Sequence, residues 1–353
     1  MGYIIRDGVI YGGGGGGGDN IFHGTQDEWE LLSSAQKASY DFAAFTDDYD
    51  PSSITNPNLL DNPWFTVNQR GLNSYTADDG NAHYTVDRWA GIQINRKAIK
   101  PKANGGITVD YTGTASSTSW YALGQLLDTD VTESLKGKTV TMSIKVSNIQ
   151  NMANVGFRLL DYDSFTLVSG ITEIARIATK TNGISKVTFT MPTSFQGNKI
   201  LIMVYGATSA TEYATAKFDV DAVKLELGSQ STLAMDIAPN YATELLKCQR
   251  YYLPIRQASR FIGTYISTTS VAFFVPTPVQ MRVAPSVTGI TKLGMGVSSG
   301  ALNTTSITSQ TGQYNAPNGV GVLVEFTSNT SPTQYSNASV CALDNDFALS
   351  ADL

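Results

Sequence analysis

The sequence predicts a mostly β protein, in which a β-sandwich is followed by a C-terminal β-domain and preceded by a small helical, glycine-rich attachment segment. Composition is the first observation: only 15% of the 353 residues are charged, while Thr, Ser, Asn, Tyr and Gly are abundant. Periodicity is the second, because long stretches alternate polar and apolar residues and are separated by turn signals rather than helical patterns. Together, this composition and this periodicity indicate β-strands whose exposed surfaces are polar but uncharged.

A run of seven glycines, Gly12–Gly18, separates the apolar opening 3–11 from the rest of the chain. A glycine run is either a flexible tether or a place where backbones pack closely because no Cβ atoms intervene. We expect a tether here, and docking of residues 1–18 into a larger assembly is the alternative. The residues expected to make such an attachment are Tyr3, Ile4, Ile5, Val9, Ile10, Tyr11, Gly12, Gly15 and Gly18.

Residues 1–56 form the attachment segment, which contains one helix signal. Thr25 and Glu28 have the spacing of a capping box at the start of a helix. The residues that follow at helical spacing on one side of this helix are Trp29, Leu32, Gln36 and Tyr40. A second short turn is expected from Tyr40 to Phe45. The segment holds nine acidic residues against Arg6 and Lys37, whereas the rest of the chain is nearly neutral. This distribution disfavours nucleic-acid binding, which needs a basic surface.

Residues 57–229 carry the strand pattern of the sandwich. Every second residue from Lys138 to Val146 is apolar, so one side of this stretch is expected to face a core. The core-facing residues are Val140, Met142, Ile144 and Val146, and similar stretches lie at 105–111, 155–160, 185–190, 199–205 and 217–227. Turn signals such as Thr181-Asn182-Gly183 separate them. Seven or eight strands without helices between them predict two packed sheets.

Residues 230–252 form a linker that ends in a short helix. Asn240 can cap this helix. Four residues then fall at positions i, i+4, i+7 and i+11 and make a narrow apolar stripe, namely Tyr241, Leu245, Cys248 and Tyr252. A helix of this length is marginal by itself, so it needs a partner. It packs either beneath the C-terminal domain or against copies of itself around an oligomer axis, where the stripe supplies the oligomer contacts.

Residues 253–353 return to strand patterns and form the C-terminal β-domain. Strands are expected at 260–266, 270–275, 285–290, 319–326, 338–343 and 347–353. Pro276, Pro278 and Pro285 confine the neighbouring backbone to edges or turns. The Ser-, Thr- and Asn-rich stretch 294–318 is expected to be an exposed loop or weak hairpin that carries recognition at the tip of a scaffold.

The sequence predicts no catalytic residue, no cofactor and no metal site. His23 and His83 are the only histidines, and neither lies in a triad context. The chain has no Gly-x-Ser-x-Gly elbow, phosphate loop or His-Glu-x-x-His pattern. A glycosidase-type pair of carboxylates from distant strands stays open. Asp161 and Asp163, two apart on one expected strand, are expected to be solvated.

Cysteine usage and hydropathy give two further expectations. Cys248 and Cys341 lie far apart and are expected to be small buried hydrophobes without a disulfide. No apolar run is long enough to span a bilayer, and the first residues lack a leader pattern. We therefore expect assembly in a cytoplasm and no membrane insertion.

Aromatic residues beside amides are the candidates for glycan contact. A flat ring can stack on a sugar while a neighbouring amide hydrogen-bonds its hydroxyl groups. Trp64 and Trp89 open strands after polar turns and are more typical of core residues. The glycan-binding candidates are Trp120, Tyr121, Tyr314, Asn315, Tyr335 and Asn337.

Three early motifs resemble the opening of a known type of domain. They are Asn-Leu-Leu-Asp-Asn-Pro-Trp-Phe at 58–65, Val-Asn-Gln-Arg-Gly at 67–71 and Tyr-Thr-Val-Asp-Arg-Trp at 84–89. They resemble the jelly-roll, carbohydrate-binding-module-like domain of bacteriophage tail fibres and related prophage proteins. The stretches 218–229, 241–252, 278–285 and 347–353 are similar to the later parts of the same family. Residues 24–29 look like short N-terminal modules of phage structural proteins, a weaker match.

The resemblance implies a virion appendage, usually a homotrimer, whose N-terminus binds other virion proteins and whose C-terminal part faces a bacterial surface glycan. A non-enzymatic fibre or receptor-binding protein is the first interpretation. A head fibre or capsid decoration protein is the second, and a polysaccharide depolymerase is the third.

Overall fold

The chain divides into two units, Met1–Thr55 and Asn56–Leu353, in the computed structural model. The structure describes residues 4–6, 9–11, 21–24, 31–39, 42–45, 56–76, 81–92, 97–111, 120–168, 170–207, 216–257, 259–267, 270–289, 292–296, 302–315, 321–328, 337–342 and 346–352. The mostly β prediction is confirmed, because antiparallel sheets form nearly all of the described secondary structure.

The described residues of the first unit include two pairs of short strands and a short helix. Its elements are β1 (Ile4–Arg6), β2 (Val9–Tyr11), β3 (Ile21–Gly24), α1 (Ser34–Lys37) and β4 (Phe42–Phe45). Strands β1 and β2 pair antiparallel, whereas β3 and β4 pair parallel. The apolar opening expected to attach the protein is therefore a hairpin in its described part. Tyr3 and the glycine run lie outside the described residues.

Two local expectations for this unit need correction. The capping box of α1 is made by Ser33 and Gln36, and the extended backbone of Ser33 (φ −66°, ψ 158°) prevents one continuous helix through this stretch. Phe42–Phe45 is a strand rather than a turn, because its backbone pairs with Ile21–Gly24. The capping box expected at Thr25 and Glu28 lies outside the described residues.

Two antiparallel sheets form the sandwich of the second unit. The five-stranded sheet has the order β13-β10-β15-β8-β7, and the six-stranded sheet has the order β12-β11-β14-β9-β6-β5. The elements are β5 (His83–Tyr84), β6 (Ala90–Ile92), β7 (Lys97–Pro101), β8 (Ile107–Tyr111), β9 (Trp120–Leu126), α2 (Thr129–Ser134), β10 (Thr139–Gln150), β11 (Asn154–Asp161), β12 (Thr172–Thr179), β13 (Gly183–Thr190), β14 (Leu201–Ala207) and β15 (Lys217–Leu227). Consecutive strands repeatedly cross from one sheet to the other, as in a jelly roll.

The predicted core-facing residues of β10 are confirmed. Val140, Met142 and Ile144 have no exposed surface, and Val146 is also buried. They pack against strands of the opposite sheet, including Phe157 and Val204. Trp89 is fully buried, and its indole N–H donates to the carbonyl of Asn62 at 3.1 Å. The alternation in the sequence therefore places the core between the sheets, and Trp89 belongs to that core.

A segment after β15 covers the outer face of the five-stranded sheet. Lys224 is 1% exposed, and its Nζ lies 2.7 Å from Oγ1 of Thr232 and 2.7 Å from both carboxylate oxygens of Asp236. Glu226 accepts hydrogen bonds from the backbone N–H and the hydroxyl of Thr232 at 2.9 and 2.7 Å. These polar residues on the outward side of β15 are buried because the following segment folds back over them.

The C-terminal part contains one helix, a three-stranded sheet and a closed barrel. The elements are α3 (Tyr241–Gln249), β16 (Tyr252–Ile255), β17 (Arg260–Tyr265), β18 (Ser270–Pro276), β19 (Ser286–Thr288), β20 (Lys292–Gly296), β21 (Leu302–Asn315), β22 (Gly321–Ser328), β23 (Asn337–Ala342) and β24 (Phe347–Ser350). The sheet has the order β16-β24-β19, and the barrel has the order β17-β18-β22-β21-β20-β23. Asn240 caps α3 as predicted, because its side chain accepts from the backbone N–H groups of Ala242 and Thr243.

The stretch 294–318, expected as an exposed loop or weak hairpin, does contain an antiparallel strand pair, β20 with β21, and this pair is built into the barrel. The residues of this stretch form most of β20 and β21, which pair with each other and with β23 and β22. Backbone hydrogen bonds to neighbours on both sides stabilise β21, so it needs few large apolar side chains to be a strand. Within the described part of the chain, no helix is long and apolar enough to cross a bilayer.

Candidate functional site

The motifs behind the family resemblance meet where the sandwich joins the C-terminal part. Arg70 belongs to the motif at 67–71, and its Nη2 lies 2.5 Å from Oδ2 of Asp352 near the end of the chain. The guanidinium carbon also lies 3.8 Å from the centroid of the Tyr252 ring. The side chains of Arg70 and Asp352 are only 15% and 7% exposed. This ion pair therefore holds the two parts of the unit together.

Asp87 lies beside this ion pair and is almost completely buried. It accepts hydrogen bonds from the backbone N–H and the side-chain Nε2 of Gln69 at 2.6 and 2.8 Å. Nη1 of Arg70 is 3.9 Å away. Burial outweighs these contacts and raises the pKa of Asp87 to about 6. Burial also raises the pKa of Asp352.

Arg88 makes a second contact between the same parts. Its side chain is 2% exposed, and its Nε donates to Oδ2 of Asp61 at 3.0 Å. Its guanidinium carbon lies 3.4 Å from the centroid of the Tyr251 ring. The backbone of Arg88 has φ +70°, a left-handed conformation that costs a non-glycine residue some strain. The hydroxyl of Tyr251 donates to Oδ2 of Asp128 at 2.5 Å, and burial raises the pKa of Tyr251 above its usual range.

Helix α3 is attached to the sandwich through Glu244. This residue is 2% exposed, and its Oε2 accepts the backbone N–H of Asn62 at 2.9 Å. Cys248 is completely buried one turn later, and burial raises the pKa of its free thiol. Its predicted role as an oligomer contact is therefore corrected, because the helix buries Cys248 within its own chain. Tyr241 is 54% exposed and can reach a partner, while Leu245 and Tyr252 are partly buried.

A polar pocket opens at this junction and has a volume of about 100 Å³. We call it the junction pocket, and it is lined by Leu59, Asp61, Arg88, Gln125, Leu127, Asp128, Asp130, Val131, Arg250 and Tyr251. Asp130 and Arg250 are its exposed members. Oδ1 of Asp128 is buried and has no hydrogen-bond partner. Among the described residues, no cluster of His, Cys, Asp and Glu has the arrangement of a metal site.

The barrel has two different ends. At the proximal end, Ile255 leads into β17 and Ala342 leads on to β24, so this end connects to the three-stranded sheet. At the distal end, β17, β20 and β22 end and β18, β21 and β23 begin. In the sequence, residues 266–269, 297–301 and 329–336 connect these strands, and none of them is charged. Most are Ser, Thr, Asn or Gln.

The strand registers separate the predicted glycan contacts instead of bringing them together. Tyr314 and Asn315 end β21 at the proximal end, where Asn315 pairs with Val322. Asn337 begins β23 at the distal end and pairs with Thr264. Tyr335 lies outside the described residues, two positions before Asn337. Asn315 and Asn337 therefore lie at opposite ends of the barrel.

Trp120 and Tyr121 lie on the sandwich and not on the barrel. They begin β9, where they pair with Ala207 and Gly206, whereas the junction pocket begins at the other end of this strand. Asp161 ends β11, and its carboxylate accepts the backbone N–H of Gln196 at 2.9 Å. It is 5% exposed, so the expectation of a solvated Asp161 is wrong.

Sequence reasoning missed the residues of the junction. Asp61, Arg88 and Tyr251 all lie in motifs that carry the family resemblance, which was the signal available. Their roles depend on contacts between segments far apart in the chain, and spacing within a motif does not reveal those contacts. Asp128 lies in no such motif.

Comparison with known proteins gives only distant structural similarities. No protein-family model and no curated protein matches the chain. A family 16 carbohydrate-binding module is similar at a TM-score of 0.25 and 13% identity, over 37% of this chain and 84% of that one. The CBM22-2 xylan-binding domain of Paenibacillus barcinonensis Xyn10C has a TM-score of 0.27 and 15% identity, over 44% and 98%. The adhesin domain of Epf from Streptococcus pyogenes has a TM-score of 0.31 and 10% identity, over 81% and 86%.

Proposed function

We propose that this chain is a non-enzymatic bacteriophage virion protein that binds a bacterial surface glycan through the distal end of its barrel. The observation that carries the proposal is that β17, β20 and β22 end and β18, β21 and β23 begin at that end, while the sequence between these strands carries no charge. Hydroxyl and amide groups match the hydrogen-bonding groups of neutral sugars, and uncharged loops adapt to them at little desolvation cost. The virion location rests on the family resemblance of the motifs in the sequence.

The proximal end of the barrel connects to the rest of the unit. Its connections continue into the three-stranded sheet, which is linked to the sandwich by Arg70 and Arg88. The sandwich therefore serves as a support that fixes the orientation of the barrel. We assign the attachment to other virion proteins to residues 1–56, including the hairpin Ile4–Tyr11.

A homotrimer fits the energetics of this function. A glycan contact of millimolar strength contributes about 4 kcal/mol, which is too little to hold a virus particle. Linked copies that bind together can gain roughly 10²–10⁴ in avidity without any new contact. Three distal ends on one particle would convert weak contacts into stable attachment.

Binding of the purified protein to host cells and to their isolated polysaccharide tests the proposed end of the barrel. The double variant Tyr335→Ala/Asn337→Ala changes Asn337 at the distal end together with Tyr335, two positions earlier in the sequence, and Tyr314→Ala/Asn315→Ala is its matched control at the proximal end. We expect the distal variant to lose binding and the control to keep it. Equal binding by both variants would contradict the assignment.

Two further measurements separate the alternative functions. Gold labelling of particles locates residues 1–56, and labels on the capsid would favour a head fibre or decoration protein over a tail fibre. Incubation with the host polysaccharide, followed by size analysis, tests for depolymerase activity. We expect unchanged polymer length, and shortened chains would show that the protein is an enzyme.

A further inference from the structure

A buried lysine on β15 contacts both oxygens of a carboxylate in the segment that follows this strand. Nζ of Lys224 lies 2.7 Å from Oδ1 and 2.7 Å from Oδ2 of Asp236. The carboxyl carbon between these two oxygens is therefore roughly 3 Å from Nζ, the separation of reacting atoms that are already placed for attack. The contact brings an amine nucleophile to a carboxyl group.

Proton transfer within this pair produces the reactive forms of both groups. Lys224 is 1% exposed, and the side chain of Asp236 is 12% exposed. Two buried charges are costly, and moving one proton from Nζ to the carboxylate removes both of them. The pair then consists of a neutral amine, which has a free lone pair, and a neutral carboxyl group, which accepts a nucleophile more readily than a carboxylate does.

Glu226 is connected to the same amine through a hydroxyl group. Nζ of Lys224 donates to Oγ1 of Thr232 at 2.7 Å, and this hydroxyl donates to Oε2 of Glu226 at 2.7 Å. Glu226 has no exposed surface, and its Oε1 accepts the backbone N–H of Thr232 at 2.9 Å. A carboxylate in this position can take a proton from the amine through the hydroxyl of Thr232 and return it to a leaving oxygen.

From these contacts we propose that Lys224 and Asp236 condense to an amide in the folded protein. The lone pair of Nζ attacks Cγ of the protonated Asp236, so an N–C bond forms, and one C–O bond of the tetrahedral intermediate then breaks. Glu226 takes a proton from Nζ and delivers it to the departing hydroxyl, which leaves as water. Two of the three protons of the ammonium group end in this water, and the step needs no oxidant or reductant.

The surroundings of the pair favour the amide over the separate groups. Two groups held in this way react as if at a very high concentration, with effective molarities of roughly 10⁵–10⁸ M in well-oriented cases. Burial of Lys224 keeps solvent from hydrolysing the product, while the partial exposure of Asp236 gives the released water a way out. The amide would link residues 228–240, between β15 and α3, covalently to the sheet that they cover.

Mass spectrometry of the denatured full chain tests the proposal. We expect wild type to be lighter than its sequence by the mass of one water, and this deficit to be absent from Lys224→Met and Asp236→Ala. Digestion after glutamate cuts the chain at Glu226, between the two residues, so wild type should give two peptides that stay joined. A wild-type protein with its full mass and two separate peptides would overturn the proposal and leave an ordinary buried ion pair.

Lys100→Met is the matched control for the lysine. Nζ of Lys100 lies 2.6 Å from Oδ2 of Asp110, but the two side chains are 44% and 31% exposed. We expect no amide at this solvated pair, so the control variant should keep the mass deficit and the joined peptides. Loss of the deficit in this variant would place the lost water at the wrong lysine and would contradict the assignment.

Glu226→Gln tests the proton transfer separately from folding. The variant keeps the size of the side chain and one acceptor for Thr232 but cannot take up a proton, so we expect a folded protein that forms the amide roughly a hundredfold more slowly or less. A time course of the mass deficit after cell-free synthesis measures the rate, and the melting temperature reports folding. A folded variant that forms the amide as fast as wild type would show that Glu226 does not carry the proton.

Discussion

Nη2 of Arg70 lies 2.5 Å from Oδ2 of Asp352, although the two residues are 282 positions apart in the chain. The contact joins a turn at the start of the sandwich to the end of the last described strand. Asp87, Gln69 and Tyr252 surround it, so its two charges are shielded from solvent. Removing only one partner of such a buried pair strongly destabilises the protein, because the other charge stays buried without its partner.

Arg70→Ala is therefore expected to lower the free energy of unfolding by roughly 3 kcal/mol, because Asp87 and Asp352 remain buried without their cation. Urea denaturation measures the change. Arg256→Ala is the matched control, since Arg256 is 76% exposed and pairs with Asp346 at 2.8 Å. That variant should cost less than about 1 kcal/mol. Similar losses in the two variants would show that the Arg70 pair contributes no more than a surface contact.

Asp87 makes stability depend on pH in a defined direction. Burial raises its pKa from 3.8 to about 6, so the folded protein holds this proton more tightly than the unfolded chain does. Its contribution to the free energy of unfolding therefore falls as pH rises from about 4 to about 6, and is constant at higher pH. A two-unit shift corresponds to a change on the order of 3 kcal/mol.

The variant Asp87→Asn removes this titration. Urea denaturation of wild type and variant, at pH values from about 4 to about 7, measures the difference between their free energies of unfolding. This range covers the shift in the pKa of Asp87. We expect the stability of wild type relative to the variant to decrease with rising pH and then to level off. A constant difference across the range would mean that Asp87 has an ordinary pKa.

Lys224 should be far more important for stability than other lysines of the same sheet. Lys224→Met leaves the carboxylates of Glu226 and Asp236 buried without their cation, and we expect a loss of about 3–5 kcal/mol. Lys100→Met is the control, because Lys100 is 44% exposed and its partner Asp110 is 31% exposed. Its effect should stay below about 1 kcal/mol. Thermal unfolding of both variants compares them, and an equal effect would contradict the role of the buried network.

Helix α3 allows the proposed trimer to be tested without disturbing the fold. Tyr241→Asp changes an exposed residue, so we expect a lower mass by light scattering at unchanged stability. Cys248→Ser changes a buried residue and should keep the mass while lowering the free energy of unfolding by about 1–3 kcal/mol. A wild-type protein that is monomeric in solution would end the trimer proposal.

Local patterns in the sequence predicted much of the sandwich. The alternation of Lys138–Val146 placed the core side of β10 correctly, and Asn240 was correctly assigned as the cap of α3. Both features depend on neighbours a few residues away. The stretch that forms β21 was expected only as an exposed loop or weak hairpin, because its stability comes from backbone pairing with β20 and β22 rather than from apolar side chains of its own.

The candidate sites show more clearly that local sequence patterns do not predict contacts between distant strands. Aromatic and amide residues such as Tyr314 and Asn337 could be chosen from composition, but the barrel registers place these two at opposite ends. Nothing within either motif encodes that separation, because it follows from the order in which six strands close.

By itself, the sequence determined the strand-rich class, the low charge of the body, the acidic first segment and the local caps and core sides, since these follow from composition and short-range periodicity. The tertiary structure alone decided which distant parts meet: Arg70 with Asp352, Arg88 with Tyr251, and the ends of β17, β20 and β22 at one end of the barrel. The physical reason is that such contacts depend on sheet order and chain closure, whose free energy is spread over the whole fold rather than stored in any one segment.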